Sequence, residues 1–277
     1  MDQAITVYDA ESRSGSVWRE MVGSVFDSRE LIWRLFIRDL SAKYEQSILG
    51  YVWAVAPPLT TVAIFTLLSR NRVLSIGETS LPYPAFVFLG LTVWGLFSTG
   101  LGSITGSLTA AASVIKKMNF PREALVLSAL GQALFDTAIR TVFLVLFFIW
   151  YDVSVSWSVL LLPIVLIPLL LITLGAGFLF ATLNALVRDV GNALGIAIQF
   201  AMFLTPVVYP APKTWPLSLM NYLNPVSAFV IAAQDLVVFG SLSNPQALVS
   251  SSLFGVALFI IGWRVFRLAQ PIIGERI

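Results

Sequence analysis

The run VSVSWSVLLLPIVLIPLLLITLGAGFLFATLNALV, from Val153 to Val187, is 35 residues without a charge, closed off by Asp152 and Arg188. A helix of about 20 predominantly apolar residues crosses about 30 Å of hydrocarbon. This stretch therefore dictates a bilayer crossing, and its surplus must lie in loops, at the interface or in tilt. Outward from it the pattern recurs, in Tyr51–Ser69 (19 residues), Leu81–Ile115 (35), Val190–Pro212 (23) and Leu236–Trp263 (28). Ala124–Tyr151 is equally apolar apart from Asp136 and Arg140. The runs predict six spans, at 51–69, 84–108, 124–150, 158–184, 191–209 and 247–263.

The whole chain agrees with that reading. Of 277 residues, 57% are apolar and 12% charged, about half the charge of an average soluble domain. That is too little polar surface to wrap such a chain in water, so the fold class is an all-α integral membrane protein. With no Cys and no His, thiolate nucleophiles, disulfides, imidazole bases and the usual zinc or haem ligands are excluded. A net charge of +2 gives no reason to expect nucleic acid. No phosphate loop, H-E-x-x-H or G-x-S-x-G occurs. No catalytic residue and no metal site is expected, and any energy for uphill transport comes from an ion gradient or a separate ATPase. A proton-driven carrier places several acids in its spans; here Asp136 stands beside an Arg, which favours the ATPase.

Charge also sets the orientation. Thirteen of 17 Lys and Arg fall on the side that holds both termini of a six-span chain. These are six before Tyr51, then Lys116, Lys117, Arg122, Arg188, Arg264, Arg267 and Arg276. Arg70, Arg72 and Lys213 fall opposite, and Arg140 lies within a span. The positive-inside rule places both termini in the cytoplasm. The first 30 residues carry no basic start followed by an apolar stretch, so no signal peptide is expected.

The chain divides into a polar lead-in (1–27), an amphipathic helix (28–46), the six-span body (51–263) and a cytoplasmic tail (264–277). Asp27 with Glu30 resembles a capping box at the start of the amphipathic helix. Trp33, Phe36, Leu40 and Tyr44 then line one face, with Glu30, Arg34, Arg38, Ser41 and Glu45 opposite. Such a helix suits the headgroup plane or a small cytoplasmic layer. Residues 113–123 form a short basic loop, readable in isolation as an ordinary positive-inside loop, with Pro121 suited to a first helical turn.

Between Pro206 and Pro245 six prolines punctuate the chain, with Asn221, Asn224 and Asn244 among apolar residues. Asn224-Pro225 breaks any span there, which predicts a pair of short re-entrant helices on the outer side, covered by protein or a watery cavity. Asp136 and Arg140, four apart on one face, can pair directly; packing and a role in gating or substrate contact are both open. Gly90, Gly95, Gly100, Gly102 and Gly106 allow close helix packing in the second span. Of 35 aromatics, Tyr51, Trp53, Trp150, Trp157, Trp215 and Trp263 sit near span ends as interfacial anchors do, and sugar stacking is the other use of such rings.

Five stretches then resemble one family. They are IRDLSAKYEQSILGYVWAVAPPL (Ile37–Leu59), IKKMNFPRE (Ile115–Glu123), NALVRD (Asn184–Asp189), TPVVY (Thr205–Tyr209) and NYLNPV (Asn221–Val226). In this order they are similar to the type-2 ATP-binding-cassette permeases that export lipid-linked polysaccharides: O-antigen, capsule and teichoic acid. The first 27 residues are not diagnostic, and the doubled Pro57-Pro58 departs from the pattern as a candidate kink in the first span.

The resemblance implies a homodimer in a bacterial or archaeal cytoplasmic membrane, working with two copies of a separate ATPase that binds the ATP and Mg. This chain itself binds no cofactor. Lys116, Lys117, Phe120, Pro121, Arg122 and Glu123 resemble the family's ATPase-coupling helix, and Arg34, Arg38, Asp39, Lys43 and Tyr44 lie in its interface helix. Tyr51, Trp53 and Tyr209 fall on the first and fifth spans that line the pathway. Pro206, Asn221, Asn224 and Pro225 belong to the outer gate. The resemblance implies a lipid-linked glycan as substrate, with membrane lipids as surroundings. Two alternatives stand beside it: an exporter of a drug, lipid or small glycoconjugate, and a membrane enzyme whose acid is Asp136, Asp189 or Asp235.

Overall fold

The computed structural model describes residues 14–44, 50–73, 76–116 and 120–276. The first 13 residues of the lead-in, residues 45–46 of the amphipathic segment and Lys117 lie outside them. Among the described residues every regular element is helical. The order is α1 (Ser14–Asp27), α2 (Arg29–Tyr44), a 3-10 turn (Gly50–Ala54), α3 (Ala56–Arg70), α4 (Tyr83–Ala110) and α5 (Ala112–Ile115). There follow α6 (Glu123–Trp150), a 3-10 turn (Trp157–Leu161), α7 (Leu162–Leu186), α8 (Asp189–Phe203) and a 3-10 turn (Leu217–Leu219). The chain ends with α9 (Met220–Leu223), α10 (Pro225–Val238) and α11 (Pro245–Arg276).

Among the described residues, four helices are long and apolar enough to cross a membrane: α4, α6, α7 with its preceding turn, and α11. Their ends fall within a few residues of the expected spans, except that α11 runs on through Arg276. The expected first and fifth spans appear as α3 and α8, each 15 residues, or about 22 Å at the α-helical rise. Prolines shorten both. Pro57 and Pro58 lie in the first turn of α3 and start the helix rather than kink it, as a ring with fixed φ and no N–H does. Thr205-Pro206 follows the end of α8, and residues 205–208 continue as buried, non-helical backbone.

The packing has a centre and two halves. In α4, 78% of the most apolar window is buried, against 28% or less in the other three long helices. One hydrophobic core joins the first half of α4 to α6, α7, α10 and Val207–Val208. A second joins the other half of α4 to Met21, Leu35, α6, α7, Trp263, Phe266 and Ile273. On α6, Val142, Val145, Leu146 and Ile149 stay exposed along one stripe, the face a membrane helix gives to lipid.

Helices α7 and α11 touch backbone to backbone. A Cβ on Gly175 would meet the Leu258 carbonyl carbon at 2.6 Å, and one on Gly262 would collide with the Gly175 carbonyl. Small residues permit that approach where apolar burial drives little between helices in lipid. In α4 the packing expectation holds for Gly90, Gly95 and Gly100, which face Val207, Arg140 and Thr173. Gly102 and Gly106 face open space.

Two local expectations are corrected. Asp27 is the last residue of α1, not a cap on α2. The bonds Ser28 N to Ser24 O (3.1 Å) and Ile32 N to Ser28 O (2.9 Å) carry helical pairing across the junction. Trp263 is no interfacial anchor: it is 9% exposed, parallel to Phe178 with centroids 6.3 Å apart. Trp150, Trp157 and Trp215 are strongly exposed, as anchors must be.

Candidate functional site

The amphipathic helix α2 lies against α6, and one face of α6 is built to receive it. A Cβ on Gly131 would meet the Phe36 ring at 3.0 Å, so the glycine lets that ring seat. One step along, Gln132 Nε2 donates to Asp39 Oδ2 (3.3 Å). Phe135 takes the edge of Phe36 and flanks Tyr44 and Tyr51. At the next turn Asp136 accepts from Lys43 Nζ (2.6 Å) and from the Tyr44 hydroxyl (2.5 Å). Burial first, then the Asp136 hydrogen bond, pushes the Tyr44 phenol above its ordinary pKa, so it remains a donor.

This corrects the expected Asp136–Arg140 pair. Among the described residues no ion pair joins them. Asp136 is held by α2, while Arg140 Nε donates to the Ala54 carbonyl (3.1 Å) at the end of the 3-10 turn. Its guanidinium lies on Gly95, where a Cβ would collide with it. Sequence spacing put the two on one face of α6; their partners come from residues 80 or more positions away. Arg34 pairs with Glu30 (2.6 Å) and Arg38 with Asp39 (2.7 Å). Trp33 and Ile37 remain exposed, so the aromatic face of α2 is divided between α6 and the surroundings.

The basic loop packs on the far end of α11. Glu123, 1% exposed, accepts from Arg267 Nη1 at 3.1 Å. Arg122 Nη1 donates to the Gln270 carbonyl. Burial lowers the Arg122 pKa, and neighbouring Glu123 offsets part of that. Glu123 Oε2 and Gln270 Nε2 are buried without a partner among the described residues. Phe120 and Pro121 are half-buried, Phe120 against the second core, and Lys116 is exposed. Of the described loop residues, Arg122 and Glu123 are thus tied to α11, Phe120 and Pro121 lie half-buried beside them, and Lys116 is exposed.

The pathway candidates are not brought together. Tyr51 and Trp53 are exposed on the 3-10 turn, with the Tyr51 ring tilted against that of Tyr44, centroids 4.8 Å apart. The Tyr209 hydroxyl donates to the Phe203 carbonyl (2.8 Å) beyond α8. The gate candidates are tied to one another's surroundings rather than to each other. Asn224 caps α10 by accepting from Val226 N (3.0 Å), and its Nδ2 donates to the buried Thr205 hydroxyl (2.7 Å). Pro225 fills the first turn of α10, and the Pro206 carbonyl accepts from Gln234 (3.3 Å). Asn221 donates to the Pro212 carbonyl (2.9 Å). Asn/Asp caps followed by Pro are the ordinary start of a helix, so these residues build the turn that places α10. An apolar cavity of about 350 Å³ opens between α4, α7, α8 and α11, lined by Trp94, Phe97 and Phe180 among others.

The sequence profile described as ABC-2 type transporter matches residues 30–238. The chain belongs to that family. Among its relatives is an O-antigen export system permease protein, RfbA, of Klebsiella pneumoniae, 29% identical over 83% of this chain and 88% of the relative. The RfbA of Myxococcus xanthus is 25% identical over 93% of this chain and 99% of its own. The polysialic acid transport protein KpsM of Escherichia coli is 21% identical over 84% of this chain and 91% of its own.

In this ABC-2 chain one bracket escaped the sequence reading. Asn184 Nδ2 donates to the Thr105 carbonyl (3.0 Å), and its Oδ1 accepts from Gly191 N (2.9 Å), joining α7, α4 and α8. An Asn in an apolar run just before Arg188-Asp189 was the available signal. Asp136, Asp189 and Asp235 lie on three different helices, and Asp136 is ion-paired.

Proposed function

We propose that the chain is the membrane subunit of an ABC exporter that carries a lipid-linked polysaccharide across the cytoplasmic membrane. The observation that carries this reading is the extent of the similarity: nearly whole polysaccharide-export permeases align with nearly all of this chain. A shared fragment would not do so.

The mechanism follows from the arrangement. The chain makes six crossings, α3 and α8 completing the first and fifth with the non-helical residues beside them, and keeps both termini in the cytoplasm. Two copies meet around a pathway lined by α3 and α8, with Tyr51, Trp53 and Tyr209 as sugar-stacking positions. Two copies of a separate ATPase bind ATP and Mg and dock on the loop from Lys116 to Pro121, and on α2. Closure of the ATPases pushes that loop. Arg122 and Glu123 pass the push to α11, and Asp136 passes movement of α2 to α6. No chemical step falls to this chain.

Two measurements test it. Deleting the gene should trap lipid-linked glycan in the cytoplasm and remove it from the surface. Analysis of the trapped lipid then names the cargo, and a drug or free lipid accumulating instead overturns the reading. Lys116→Glu or Phe120→Ala should abolish export while the chain stays in the membrane at normal abundance. Normal export with residues 116–121 scrambled overturns the docking assignment.

A further inference from the structure

A cavity of about 300 Å³ lies between α10, the segment 211–222 and the start of α11, and of the coupling, pathway and gate candidates only Asn221 lines it. Its place follows from α11. Ala247, in its wall, and Arg267, held by Glu123, are twenty residues apart on one helix. That is about 30 Å, one hydrocarbon thickness. The cavity therefore opens on the membrane face opposite the coupling loop.

Its lining narrows the ligand. Asp235 is 8% exposed, and both of its bonds, from Ser243 N (2.8 Å) and Ser243 Oγ (2.5 Å), fall on Oδ2. No Lys or Arg among the described residues pairs with it. The other oxygen, Oδ1, has no bond to the described residues and is open to the cavity, so it is free to accept from whatever fills it. Asn244 Nδ2 donates to the Tyr222 hydroxyl (2.9 Å), and its Oδ1 caps α11 through Ala247 N (3.0 Å). The amide is thus fixed beside a ring that is 59% exposed. Lys213 and Asn221 complete the polar wall, against a floor of buried alanines.

An apolar ligand would strand the carboxylate, and a wall that carries a carboxylate together with an exposed ammonium at its rim, Lys213, favours no net charge in the ligand. What remains is a neutral, hydroxyl-rich group that donates to Asp235, accepts from Lys213 or the Tyr222–Asn244 pair, and lays an apolar face on the Tyr222 ring. The volume is at the small end of ligand cavities, which start at about 300 Å³, so it suits a single ring rather than a length of chain.

We propose that this cavity is an outer-face subsite for one saccharide unit of the exported glycan, read after it has crossed. The proposal rests on the export reading, so the two are tested in separate arms. Cells exporting their own glycan, with its sugars tagged by periodate and biotin hydrazide, carry the photo-crosslinker p-benzoylphenylalanine at position 222 or, as control, at lipid-exposed position 261. Position 222 should yield glycan-bearing adducts at least fivefold above 261, and Asp235→Asn should lower them severalfold at unchanged abundance of the chain. Equal adducts at both positions, or adducts that migrate as single phospholipids, overturn the subsite even when deletion of the gene still traps glycan. Tagged glycan at the surface of the deletion strain overturns the export reading and this proposal with it.

Discussion

Asp136 has its charge answered from another element. Its side chain is 6% exposed, whereas that of Lys43, its partner, is 43% exposed. The two ends of the pair therefore differ in worth: an exposed ammonium gains little from pairing, whereas a buried carboxylate without partners costs several kcal/mol. Asp136→Asn should lower stability by about 1–3 kcal/mol, and the double variant with Lys43→Met should lose less than the sum of the singles. Thermal unfolding of the four proteins in detergent measures the coupling; additivity within about 0.5 kcal/mol would mean that the pair is incidental. Glu123 is the sharper case, because one of its oxygens already lacks a donor. Arg267→Ala should cost about 2–4 kcal/mol and loosen the end of α11, read as new protease cleavage near the C-terminal end of the chain. Unchanged stability and an unchanged digest would remove the clamp from the mechanism.

Elements differ in how far the sequence announces them. Where apolar length alone decides, the boundaries were legible: α4, α6 and α7 begin and end within a few residues of the spans read from charge-free runs. Where proline acts, only the position of the disturbance was legible. Pro57-Pro58 starts α3 and Thr205-Pro206 follows the end of α8, both shorter than a crossing. Partners across helices were not legible. Nothing local tells Asp136 to choose Lys43 over Arg140, because that choice is made by the docking of α2 on Gly131. Glycines separate in the same way. Gly262→Ala sets a methyl against the Gly175 carbonyl and should cost about 1–3 kcal/mol by forcing α7 and α11 apart. Gly102→Ala enters open space and should be neutral or stabilise by up to about 1 kcal/mol through helix propensity. The reverse ranking in a thermal shift assay would contradict the helix contact described.

For the whole molecule, the absence of cysteine from all 277 residues supplies a ready background for mapping. Ile64 on α3 and Phe200 on α8 are exposed apolar positions beside the proposed pathway, and Val145 on α6 belongs to the lipid-facing stripe. Single cysteines at 64 or 200 should form oxidised dimers in membranes, and one at 145 should not. Dimers through 145 alone would move the subunit contact to α6. Orientation is testable on the same background: a cysteine at Lys213 should react with an impermeant maleimide in intact cells, and one at Lys116 only after permeabilisation. Matched reactivity at both sites would overturn the two-sided charge arrangement. The thirteen-to-three asymmetry is a count made on a six-span chain, so it stands or falls with that topology and with this labelling. The hold of α11 on Arg122 and Glu123 was not readable from the sequence, because it depends on which residues α11 brings to the loop.

Between Pro245 and Pro271 the last helix contains no proline, and α7 braces it at Gly175 and Gly262. A braced helix is stiff along its axis, so a displacement at Arg267 arrives at Asn244 nearly undiminished. Asn244 caps that same helix and bonds Tyr222. Arg122 and Glu123 are thereby geared to Asn244 and Tyr222 with no intervening joint, so that in the proposed export cycle a push on the first pair is also a change of grip at the second.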